Sequence, residues 1–199
     1  MTRSTTEGRR TGGAAVAAGV LLFASVAAEI VRPVQEPDGT LTSVTGFALY
    51  LVAWTLGATA LVAALLGLGR PAIGRAGRIG RGISLAGAAL LTAFGVVGLT
   101  TAVIDGAPAE WSFLLFAVGL LLLVVGSVPL ALGLRRSGAP GAVWIAVLVA
   151  GAGGLVALGA AADPWHDLGL FLFDAAWVVA GLRLLRAPEP VREDVARVG

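Results

Sequence analysis

The side chains of this 199-residue chain that could do chemistry crowd into one stretch, "DPWHDLGLFLFD", residues 163–174. It holds Asp163, His166, Asp167 and Asp174. Asp174 falls inside a run that otherwise reads as a membrane helix, about 9 Å below a start at Leu168. Asp167 and Asp174 are seven residues apart, so they share a helix face. A carboxyl at such depth couples to a proton or cation, or is kept protonated or paired and fastens helices. The fastener is slightly preferred, with Arg32 at the end of span 1 or Thr100 and Thr101 of span 3 as partners. His166, the only histidine, could be a base, a metal ligand or a pH sensor. Between Trp165 and Asp167 in a short loop, it reads better as an interfacial polar residue.

Other acids gather near the same boundary: Glu29, Glu36, Asp38, Asp105 and Glu110. Only Arg32 opposes them. An oxygen-rich rim could attract cations or bind calcium, magnesium or manganese, and His166 would add zinc. No ligand spacing matches a metal motif, so neither a metal site nor a cofactor is assigned. The simpler role is helix termination, with Asp167 capping the last span and complementing its dipole.

Several chemistries drop out. There is no cysteine, hence no disulfide, thiolate site or cysteine nucleophile. There is no lysine, so no phosphate-binding Gly-Lys-Ser/Thr loop. Ser127 sits in "VVGSVP", which is not the setting of an intramembrane serine nucleophile. With so few nucleophiles and bases, the expectation is a protein that is not an enzyme and has no catalytic residue. A pI near 10.4 comes with a net charge of only +2. The arginines also sit in separate short segments, which excludes a nucleic-acid face.

The elements that position these residues are membrane spans. The chain is 57% hydrophobic and 13% charged, with mean hydropathy +0.91; soluble domains carry about 25% charge. A spanning helix needs about 20 apolar residues. Six such runs occur, at 12–31, 43–68, 82–104, 110–132, 140–161 and 168–186, separated by Pro- or Gly-bearing breaks. The expected fold is all-α, a six-helix membrane bundle of three consecutive hairpins. Polar tails flank it at 1–11 and 187–199, and both read as mobile. "GRAGRIGRG" reads as a flexible turn placed to touch anionic headgroups.

All basic residues are Arg, and of the fourteen only Arg32 falls on the acidic side of a six-span chain. Cytoplasmic loops carry the Arg and Lys excess. Both termini are therefore expected in the cytoplasm and the bundle in the plasma membrane. Arg without Lys, amid abundant Ala and Gly, suggests GC-rich coding and a bacterial source. Residues 1–27 resemble a signal peptide, with "SVA" before Ala28. The apolar run reaches Val31, however, so an uncleaved first helix is preferred.

Span 5 carries small residues at four-residue spacing, Ala142, Ala146, Ala150 and Gly154, beside Gly153, Ala157 and Ala161. Small residues let helices approach closely in lipid. This face suggests a helix central to the bundle, or a dimer contact. Pro129 is expected to adjust span 4 locally. The leading expectation is a non-enzymatic protein acting by packing, by lipid contact, or through a homo-oligomer or membrane partner. The alternative is a small transporter or channel using Asp174 and the outer acids.

Overall fold

The computed structural model describes residues 3–31, 43–68, 73–159 and 165–186. They form six α-helices: α1 Arg3–Val31, α2 Val44–Gly67, α3 Gly74–Asp105, α4 Ser112–Arg136, α5 Gly141–Gly159 and α6 Trp165–Leu185. Each is long and apolar enough to cross a membrane. There is no strand among the described residues.

The helices make a closed ring. Each packs on its chain neighbours, and α1 packs on α6 to complete the circle. Among the described residues no two helix backbones approach across the ring, and only side chains such as Trp54, Phe116 and His166 reach over it. Lipid supplies no hydrophobic drive between helices, so close backbone approach must hold them together. Every seam supplies it through glycine. In α4, Gly119, Gly126 and Gly133 recur every seven residues and line one face. Opposite them lie Gly87, Gly80 and Gly77 of α3, running the other way. In the α1–α6 seam Gly12 faces Gly181, and Gly19 faces the backbone of Asp174. In all six seams the paired positions run in opposite directions, so neighbouring helices are antiparallel.

The small residues of α5 are used inside the chain. Gly153 faces Gly169 and Phe173 of α6, while Gly154 faces Leu120 and Val124 of α4. Ala146, Ala150 and Ala157 are buried and Ala142 is half-buried; Ala161 lies outside the described residues. The helix is thus one member of a ring, not its centre. A wide small face serves two flanking neighbours.

Two boundaries differ from the sequence reading. Residues 75–81 extend α3 as regular helix where a flexible turn is expected, entered through Gly74 at a left-handed φ of 65°. A Cβ built on Gly77 would stand 2.9 Å from the Gly133 Cα, and Arg81 donates to the Leu68 carbonyl at 3.3 Å. Packing therefore overrides the poor helix propensity of Gly77 and Gly80. The N-terminal segment from Arg3 is likewise helical, and Thr11 is buried against Gly67. The C-terminal tail lies outside the described residues. Pro129 sits inside α4 without ending it.

Charge is largely sorted between the two ends, with Glu7 the one described acid at the arginine end. Arg9, Arg10, Arg75, Arg78, Arg135, Arg136, Arg183 and Arg186 lie at one end of the bundle; Glu29, Asp105, Glu110 and Asp167 lie at the other. Trp111 and Trp165 are 58% and 62% exposed at the acidic end, where indoles favour the membrane boundary. Trp144, at the arginine end, has the Arg135 guanidinium 5.4 Å from its ring centroid.

Candidate functional site

In hydrocarbon a hydroxyl can satisfy its own proton by donating to a carbonyl one turn back. Most hydroxyls of the spans do so. Ser25 donates to Leu22, Thr55 to Leu51, Thr92 to Ala88, Thr100 to Val96 and Ser127 to Val124, at 2.6–3.0 Å. An ionised carboxylate has no proton to give and only accepts. It has no such local remedy, which makes its surroundings informative.

Asp174 is 2% exposed, and its Oδ2 has no hydrogen-bond partner among the described residues. Helix α6 starts at Trp165, so Asp174 is nine residues in, about 14 Å down, close to the helix midpoint. That is deeper than a start at Leu168 implies. The α1 seam fixes this depth, because Gly19 lets the α1 backbone reach the Asp174 carbonyl. One turn further, Trp177 is 3% exposed and its Nε1 is also unpartnered.

Three further groups share this space. Tyr50 of α2 lies close to Glu29 of α1, and Asp167 and Asp174 both lie within electrostatic reach of it. Glu29 is two residues from the end of α1, and Tyr50 is six residues into α2. Glu29 and Asp167 therefore stand near the acidic surface, Tyr50 about 9 Å down and Asp174 about 14 Å down. Together they form a descending series of oxygen atoms between α1, α2 and α6.

A chain of aromatic rings starts from Tyr50. Tyr50 lies 6.3 Å from Trp54, Trp54 lies 5.6 Å from Phe116, and Phe116 lies 6.1 Å from the His166 ring, measured between centroids. The Trp54 Nε1–H donates to the Leu91 carbonyl at 3.3 Å. Toward the arginine end the fully buried side chains Leu61, Leu65, Leu130, Val143 and Val147 are apolar, with Ser84 buried among the helices there. The acidic side chains of the series thus end at Asp174.

His166 belongs to the first turn of α6, not to a loop. Its Nδ1 lies 2.8 Å from the Ala157 carbonyl of α5. A carbonyl only accepts, so Nδ1 carries the hydrogen and the ring ties α6 to α5. Asp167 is also inside the first turn, where it complements the dipole without capping the end. The expected span 3 partners of Asp174 are elsewhere. Thr100 is exposed, Thr101 accepts from the Ala109 N–H at 3.0 Å, and α3 does not touch α6. Arg32, Asp163, Glu36 and Asp38 lie outside the described residues. Among the described residues, no three His, Cys, Asp or Glu side chains are grouped to hold a metal ion.

Sequence reasoning brings out Asp174, Asp167, Glu29 and His166 but misses Tyr50 and Trp177. Each announces itself only as a polar atom on an apolar helix that must find a partner. No known protein family, curated protein or solved structure matches the chain.

Proposed function

We propose that this is a small, non-enzymatic, multi-pass plasma-membrane protein that takes a cation from the outer side into the bilayer on Asp174, as a transporter or channel. Both termini face the cytoplasm on this reading, by the rule that arginines stay inside. One observation carries it: the carboxyl of Asp174 is buried at mid-helix with Oδ2 unpartnered among the described residues. A buried ion without a partner costs several kcal/mol, and a cation or proton arriving along Glu29, Asp167 and Tyr50 would offset that cost.

The fastener reading asks for a polar partner on a neighbouring helix, and the glycine seams already hold α6 on both sides. Action through partner contact, whether a homo-oligomer or another membrane protein, draws little support from the small-residue faces, because these are occupied within the chain. Contact with anionic lipid remains open to the arginine end.

Charge displacement on a solid-supported membrane of proteoliposomes tests the proposal. Sodium, potassium, ammonium and ethylammonium would be applied in turn. Wild type should give a current with at least one of them, and Asp174→Asn should abolish it while unfolding at a similar temperature. No current with any of the four, or equal currents in both proteins, overturns the proposal.

A further inference from the structure

The two unpartnered atoms of α6 have opposite needs. The Asp174 Oδ2 is an acceptor that suits a positively charged N–H; the Trp177 Nε1–H is a donor that needs an oxygen. Residues three apart on a helix have Cβ atoms about 5–6 Å from each other. A two-carbon unit with a nitrogen at one end and an oxygen at the other is shorter than that, and with a hydrogen bond at each end it can bridge two such side chains. Tyr50, within electrostatic reach of Asp174, lies beside Trp54, and aromatic rings attract ammonium ions most strongly when water is excluded. A hard metal ion asks for six to eight oxygen ligands, and the described residues offer no group of three acidic or imidazole ligands.

We propose that the site binds a small hydroxylated amine: its ammonium pairs with Asp174 and its hydroxyl oxygen accepts from Trp177. This rests on the cation reading above and adds the substrate class. The ammonium supplies what the carboxylate lacks. The hydroxyl supplies what the indole lacks, and a plain alkylamine of the same size leaves that N–H unpaired. Selectivity between the two therefore reports on Trp177 and not on charge.

Calorimetric titration of the purified full chain in lipid nanodiscs provides the test, with ethanolamine and propylamine as probes of nearly equal size and the same charge. Wild type should bind ethanolamine roughly three- to tenfold more tightly, the worth of one hydrogen bond. Trp177→Phe should bring the ratio close to one while propylamine binding stays nearly unchanged. Asp174→Asn should weaken both amines by at least tenfold. A wild-type ratio near one overturns the inference without any variant having to fold, as does a ratio that Trp177→Phe leaves intact. If wild type moves charge with inorganic cations but binds neither amine, the substrate class is wrong and the cation reading stands. If neither charge movement nor amine binding occurs, both fall.

Discussion

Replacing Gly19 with alanine should destabilise the bundle, and replacing Gly13 on the same helix should not. A Cβ at Gly19 would overlap the carbonyl oxygen of Asp174, stand 2.7 Å from Val178 Cγ2 and 2.9 Å from the Val178 nitrogen. Ordinary contacts begin near 3.4 Å, so α6 must retreat by half an ångström or more. The obstacle is backbone, which cannot swing aside as a side chain can. Overpacking of this kind costs about 1–3 kcal/mol. At Gly13 nothing lies within 4 Å of the added carbon, and alanine in a helix gains about 0.5–1 kcal/mol over glycine. That gain is common to both sites and cancels, so the two variants should differ by roughly 1–3 kcal/mol, the overpacking cost alone. Equilibrium unfolding in mixed detergent micelles, followed by the fluorescence of the chain's five tryptophans, measures the difference. Equal stability of Gly13→Ala and Gly19→Ala would refute both the seam and the position it gives Asp174.

Other expectations follow from the same geometry. Reporters fused after residue 199 and within 70–81 should read cytoplasm and one within 163–167 should read outside; export of the 70–81 fusion would break the six-span topology. Gly154→Leu and Ala150→Leu should impair folding more than Val149→Leu, because a leucine at 154 meets Val124 and Leu120 of α4; equal thermal stability of the three would place that face in lipid. Thr101→Val should cost about 1 kcal/mol, since it removes the acceptor for the Ala109 N–H. Faster hydrogen exchange at Ala109, with α4 unchanged, is the check.

The six spans are legible in the sequence because apolar length and arginine placement are both set by the bilayer. The lower part of α3 is not. Gly74, Gly77, Gly80 and Gly82 read as a turn by local propensity, and only the facing glycines of α4 explain why the segment stays helical. The spacing of Gly119, Gly126 and Gly133 is visible in the chain, yet nothing local says which helix it meets. The same gap misplaces the partner of Asp174. Thr100 and Thr101 lie at a suitable depth on α3, but the ring puts α1 and α5 beside α6. Tyr50 is the least legible member of the site. Its ring looks like one more apolar side chain until Glu29 is seen beside its hydroxyl.

Closure of the ring by α1 on α6 has a consequence for biogenesis. About 130 residues separate the end of α1 from the start of α6. At roughly 5–20 residues per second, the first helix waits on the order of ten seconds or more in the membrane before its final neighbour is synthesised. Throughout that interval the Gly12–Gly19 face of α1 is an unoccupied docking strip. A nascent bundle in that state can also be completed by the α6 of a second copy, since the two are chemically identical. Correct assembly then depends on timing and local concentration, with the last helix deciding whether the product is a monomer or a swapped pair.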